Sequence, residues 1–375
     1  MEIELKNKPG GGTKALNTKY NRKPSLDLYR ILLMLFVVLL HYNDGKAFTY
    51  ANGLNLQILY FLESMAICAV DGFILLSAYN LSNTNKRKLS KGIELYIQLV
   101  AVRMGWELIH VILGKSTISI KVLLGLFLPT NYYVTLYIAL YYASPYLNIV
   151  IEKLKKRPKS WKPFLAICFG FLSIYPTLVD LFEEIIGREI MGLSTIGAWG
   201  SQQGFTLLNF ILVYFVGGAI RCFEEQLDRI DFRILLLLQL SIVVLIYLWS
   251  TMGDYLVLHG LRSAWCYHNQ MVILEAIILI IIMKRINIRN QRAAMVANYV
   301  GKSTYTGYLI HAYILSLVNI QACVNYSVWF MLASIFIIEI ITVMVSILVY
   351  SVWIKVTDPI FTGSIRKIMP FNYYF

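Results

Sequence analysis

The chain has 375 residues, of which 58% are hydrophobic and only 15% charged, with a formal net charge of +13 and a mean hydropathy of +0.62. A soluble fold of this length has no use for so much apolar surface, because its exterior must stay wet, so a soluble globular protein is excluded and a bilayer is the implied solvent. The positive charge sits in short hydrophilic gaps between apolar stretches, a topological pattern that speaks against a nucleic-acid partner.

In chain order, residues 1–25 are polar and basic with a Gly10–Gly12 run and no apolar core of a signal peptide, which predicts a flexible cytoplasmic tail. A transmembrane domain is expected over 26–353 and a short cytoplasmic tail over 354–375. Spans of ~20 apolar residues are expected at about 26–43, 55–80, 92–114, 131–151, 163–181, 205–223, 233–251, 267–284, 303–322 and 327–353. The fold class is therefore an all-α polytopic bundle of about ten membrane helices. Segment 116–129 is apolar but short and reads as interfacial or re-entrant. With the N-terminus inside, 28 of the 34 Lys and Arg fall in cytoplasmic segments and five in external ones, which places both ends in the cytoplasm. The longest external segment, 182–204, either covers a substrate site or merely connects two helices. No internal repeat is visible, which counts against a transporter.

Ionisable groups within spans are costly and point to function. The first span carries Asp27, Arg30 and, eleven residues on, His41. Eleven steps of about 100° bring Arg30 and His41 to one helix face, ~16 Å apart along the axis, with Asp27 one turn below Arg30. Taken singly, Arg30 reads as a membrane anchor and His41 as an interfacial residue. Together they offer a cation for an anionic group at one end and an imidazole base deeper in.

The Arg30–His41 spacing resembles the first-helix signature of the acyltransferase-3 family of integral-membrane enzymes that O-acetylate bacterial surface polysaccharides. Val70-Asp71-Gly72-Phe73 through Ser77-Ala78-Tyr79, the run from Asn131 through Tyr133, Tyr137, Tyr141, Ser144-Pro145 to Asn148, and Gly301-Lys302-Ser303 through Tyr308 to His311 are similar to further motifs of that family, in the expected order. The resemblance implies acetyl-CoA as a cytoplasmic donor substrate rather than a resident cofactor. It also implies a sugar hydroxyl acceptor on a polysaccharide or lipid-linked oligosaccharide, in contact with membrane lipids of the bacterial cytoplasmic membrane. His41 would be general base or acyl carrier, Arg30 would hold the donor, and Asp27 would orient Arg30.

Two departures stand out. Ala78 replaces the family's usual glycine. The third helix lacks an Arg-x-x-Arg pair, leaving Lys91 and the deeper Arg103 as candidate donor-binding cations, with Lys86, Arg87 and Lys88 either part of that set or a plain topology signal. Asp71 has three alternatives: pairing with Arg103, orienting His41, or capping a break beside Gly72. Ser77, Tyr137 and His311 are candidates for substrate or structural support, His311 being either a core histidine or a catalytic one. Tyr132, Tyr133, Tyr137 and Tyr141 are expected to line one face for packing or sugar stacking. His110, His259 and His268 show no ligand spacing, and the five cysteines are scattered, so no metal is expected. Other functions compatible with the hydropathy are a lipid-linked sugar flippase and a glycan polymerase. The first would need polar groups on many helices, and the second would need arginines in large external loops.

Overall fold

The computed structural model describes residues 23–117, 119–128, 130–255, 262–359 and 372–373. Most of the two expected tails, 1–22, 360–371 and 374–375, and His259 lie outside the described residues.

The described chain is almost entirely helical. In order, the main helices are α1 (Pro24–Tyr42), α2 (Gly53–Ala66), α3 (Ala69–Leu81), α4 (Leu89–Ile112), α5 (Ile120–Phe127), α6 (Tyr132–Lys156), α7 (Trp161–Phe169), α8 (Tyr175–Ile186), α9 (Leu207–Cys222), α10 (Phe232–Tyr255), α11 (Gln270–Lys284), α12 (Gln291–Ser316) and α13 (Val328–Pro359). Short polar side chains start many of them by accepting an orphan backbone N–H. Asn131 accepts from Val134, Thr206 from Asn209, Asn269 from Met271 and Asn290 from Arg292, each worth about 1 kcal/mol. α1 does not stop at Tyr42. A wide π turn over Asn43–Ala47 carries it on to Phe48–Tyr50.

Among the described residues, eight helical stretches are long and apolar enough to cross a membrane: 24–42, 53–81, 89–112, 132–156, 158–186, 232–252, 263–284 and 328–357. The protein is thus a polytopic membrane helix bundle. Two of the ten expected spans fall short of that test for different reasons. α9 is apolar but only 16 residues long. α12 has 26 residues but carries Lys302, Ser303, Thr304, Thr306 and His311, because it sits inside the bundle and faces other helices rather than lipid. Segment 116–129 contains only the eight-residue α5, whose one buried residue is Leu126.

The layering is inside-out relative to a soluble protein. The windows of 24–42, 53–81 and 263–284 are 67%, 67% and 78% buried, whereas those of 89–112, 158–186 and 328–357 are each 22% buried. Leu236, Leu237 and Leu240 on α10 and Ile337, Met344, Leu348 and Val352 on α13 all face outward. An exterior of that kind needs hydrocarbon around it.

At the Arg30 end the loop after α3 is clamped from α6. Asn148 donates from Nδ2 to the carbonyls of Leu81 (2.9 Å) and Thr84 (3.0 Å), and Tyr214 donates to its Oδ1 at 2.8 Å. Arg87 is buried and donates to Ser144 Oγ at 2.7 Å and to the carbonyls of Thr84 and Leu81. Ser144, Asn148 and Arg87 therefore build the fold, and Arg87 is spent on it rather than offered to a nucleotide. Residues Arg87–Lys88 also pair antiparallel with Asn372–Tyr373.

Nearby, Glu224 joins Arg221 (2.9 Å), Lys284 (2.9 Å) and the Tyr79 hydroxyl (2.7 Å). Burial alone would raise its pKa, but Lys284, Tyr79 and Arg221 outweigh it and hold the carboxyl at about 2. The stabilisation from this depressed acid is fully present above the ordinary carboxylate range and is lost progressively as pH falls from that range through about 2.

Candidate active site

α1 runs through the centre of the bundle and carries the candidate residues in the order expected. Asp27 is fully buried and pairs with Arg30 one turn on. The room for this pair comes from Gly301 on α12: a Cβ there would lie 2.6 Å from Asp27 Cβ and 2.9 Å from its Oδ1. We expect Gly301→Ala to push α1 and α12 apart at the pair, costing about 1–3 kcal/mol as overpacking does; thermal unfolding in detergent micelles measures it.

Arg30 opens onto a cavity of about 610 Å³ whose wall includes Lys91, Glu94, Gln98, Lys302 and Tyr305. Ser77 and Tyr137 also line it, the Ser77 hydroxyl donating to Tyr137 Oη at 3.3 Å. Lys91 pairs with Glu94 at 3.2 Å. On its other side Arg30 borders a smaller cleft of about 250 Å³ with Lys23, Tyr79, Asn83 and Arg221. Five basic residues thus gather at one end of the bundle.

His41 lines a second cavity, of about 620 Å³, with Asp44, Tyr60, Glu63, Tyr132, Gln203, Trp265 and Tyr267. Its imidazole is exposed to that space. Nδ1 lies 2.9 Å from the carbonyl of Val37. A carbonyl only accepts, so Nδ1 carries the proton and Nε2 keeps its lone pair. The π turn that begins two residues after His41 brings Asp44 to the same cavity, in the manner of wide turns at functional sites.

The two cavities share no lining residue. Between them stand the rings of His311, Tyr308 and Tyr133. His311 meets His41 edge to face with ring centroids 4.4 Å apart. Tyr308 is 5.6 Å from His311 and 5.1 Å from Tyr133. His311 is buried, its Nδ1 donating to the carbonyl of Tyr308 at 2.5 Å, so it too presents Nε2 as the unprotonated nitrogen.

Other sequence candidates are placed differently. Arg103 donates to the carbonyls of Gly125 (2.8 Å), Leu126 (3.1 Å) and Leu128 (2.5 Å). It caps the C-terminus of α5 and lines neither of the two large cavities. Asp71 is fully buried in the first turn of α3, just after the break at Ile67–Cys68, and its Oδ1 accepts from Asn209 Nδ2 at 3.3 Å. That bond runs to α9, and to neither Arg103 nor His41. Ala78 meets the close approach of α9, where a Cβ added at Gly217 would lie 2.5 Å from Ala78 Cβ. The tyrosines do not share one face: Tyr132 lines the His41 cavity, Tyr133 and Tyr137 the Arg30 cavity, and the Tyr141 hydroxyl accepts from Lys88 N.

Several residues here escape sequence reasoning. Lys302 lies inside the Gly301–Ser303 motif, which was a usable signal. Glu63, Trp265 and Tyr267 carry no local pattern. His268, which shows no spacing signal, converges with Asp180 and Cys266. Gln203 brings the end of the long 182–204 segment to the cavity wall.

Fold and site together define a multi-pass membrane protein with a cationic cavity and an imidazole cavity set back to back on one central helix. The model of the acyltransferase-3 family, described as an acyltransferase domain, matches residues 23–354, and the chain belongs to that family. Neither a curated protein nor a solved structure matches the chain. The activity is accordingly of the acyltransferase type.

Proposed function

We propose that the protein is an O-acyltransferase that moves an acetyl group from acetyl-CoA to a sugar hydroxyl of a cell-surface glycan or its lipid-linked precursor, in the bacterial cytoplasmic membrane. The observation that carries this reading is the pair of cavities on α1: one lined by Arg30, Lys91 and Lys302, the other by His41. The cations suit the phosphates of a coenzyme A thioester. The aromatic walls of the His41 cavity, Tyr60, Tyr132, Trp265 and Tyr267, suit a sugar ring. The distribution of Lys and Arg along the sequence supports a cytoplasmic Arg30 end.

In this reading Arg30, oriented by Asp27, holds the donor, and the pantetheine arm carries the thioester toward the ring wall. His41 Nε2 takes the hydroxyl proton as the sugar oxygen attacks the thioester carbon. The C–S bond breaks, the ester C–O bond forms, and the proton ends on the coenzyme A thiol. His311 abuts the His41 ring and fixes its orientation. If His41 instead carries the acetyl group between the cavities, an acetyl-imidazole forms first and the sugar hydroxyl then attacks it; quenching the enzyme with labelled acetyl-CoA in the absence of acceptor separates the two routes.

The test is glycan composition in a deletion strain. Loss of an ester-linked acetyl by NMR with chain length unchanged is the expected result. A shortened glycan points to a polymerase, and intracellular accumulation of lipid-linked units points to a flippase.

A further inference from the structure

Beside the His41 cavity, three chemically unlike side chains converge from distant parts of the sequence. Asp180 comes from α8; Cys266 and His268 come from the segment leading into α11. Their ligand atoms all lie within 4.8 Å of one another. Asp180 Oδ2 is 3.2 Å from His268 Nε2 and 3.6 Å from Cys266 Sγ. A tetrahedral zinc with bonds of about 2.3 Å to sulfur and about 2.0–2.1 Å to nitrogen and oxygen sets edges of roughly 3.3 Å for N···O and roughly 3.6 Å for S···O. The two separations to Asp180, an ion-pair contact with His268 and a thiol hydrogen bond donated by Cys266, have the lengths of those edges, and the sulfur and nitrogen lie within 4.8 Å of each other.

The second observation is His268 itself. It is fully buried, and neither ring nitrogen has a hydrogen-bond partner; Nε2 is near Asp180 but not aligned for a hydrogen bond. A buried imidazole with an ion-pair contact at Nε2 but no hydrogen bond at either nitrogen is costly, and a metal ion bound through Nε2 relieves the cost at that nitrogen. The local scaffold is itself tied down: Ser173 Oγ donates to the His268 carbonyl at 2.6 Å, and Ser201 Oγ donates to Asp180 Oδ2 at 2.5 Å.

We propose that Asp180, Cys266 and His268 bind a zinc ion. The donor set of one thiolate, one imidazole and one carboxylate is that of zinc rather than of magnesium or calcium, which take oxygen ligands alone. Three protein ligands leave a fourth position for water or the Ser201 hydroxyl. Binding releases the thiol proton of Cys266 to solvent.

The ion's task follows from alternation along the segment. Cys266 and His268 face the cluster while Trp265 and Tyr267, one residue out of step, line the His41 cavity. Trp265 stacks on Phe48 at 5.5 Å with its plane tilted by 1°, and Tyr267 packs edge-on against Phe205 at 5.1 Å. A zinc ion fastens this aromatic wall to α8. The site is independent of whether the cavity takes a sugar.

The experiment uses the full chain purified in detergent, loaded with zinc chloride, washed into metal-free buffer and assayed for metal by mass spectrometry. About one zinc per chain is expected, falling to background in His268→Gln and Cys266→Ser and unchanged in Cys168→Ser. Cobalt loading of the unmodified protein gives an independent reading, because a thiolate ligand produces a charge-transfer band in the near ultraviolet. That band is expected in wild type and absent in Cys266→Ser. Wild-type protein that holds no zinc after washing, or binds cobalt without the thiolate band, overturns the proposal, whether or not the variants fold.

Discussion

Replacing His41 with alanine is expected to cut acyl transfer by about 10²–10⁴-fold, the usual contribution of a general base, while leaving the protein folded. The ring projects into a cavity and its one ring contact among the described residues is the edge of His311, so its removal enlarges a space already open and stability should fall by no more than about 1 kcal/mol. Turnover of labelled acetyl-CoA by protein of matched expression measures the first, and thermal unfolding in micelles the second. Unchanged O-acetyl content of the glycan in a strain carrying only His41→Ala would remove His41 from the mechanism.

The second large effect concerns Arg30, which has both a structural and a chemical role. Arg30→Ala withdraws the guanidinium from a fully buried Asp27 carboxylate, and breaking such a pair from one side costs about 3–5 kcal/mol. It should also raise the donor KM. The double variant Asp27→Asn/Arg30→Ala removes the stranded charge, so the melting temperature should return most of the way to wild type. The donor KM should stay high, because the cation is still missing. A double variant that regained both would reduce Arg30 to a packing element, and one that regained neither would mean that the pair shapes the cavity as a unit.

Much of the bundle was legible from residue patterns, because a membrane helix announces itself by length and hydropathy alone. α12 shows where that rule weakens. Its polar face is buried against α1, where Gly301 meets Asp27, so the helix nearest the site is the one that hydropathy describes least well. The shared face of Asp27, Arg30 and His41 was legible because it lies on one helix. Contacts between elements were not. Arg103 reads as a functional intramembrane cation, yet it donates to three carbonyls at the end of α5. His311 carries no sign of its neighbour until α1 and α12 are set side by side, and the grouping of Asp180 with Cys266 and His268 spans 88 positions from first to last. Spacing rules find ligands that share one element and miss those assembled by tertiary packing.

The length of α13 places a condition on the lipid. Its 32 residues extend about 48 Å at about 1.5 Å each, against a hydrocarbon layer of roughly 30 Å. Tilt alone absorbs only part of that excess; the rest must stand among the headgroups. Tyr350, Trp353, Ile354 and Thr357, close to the helix's C-terminal end, wall the cavity that Arg30 opens onto. The mouth of that cavity is therefore built partly from a segment whose inclination answers to bilayer thickness, and the membrane becomes a component of the binding site as well as its solvent.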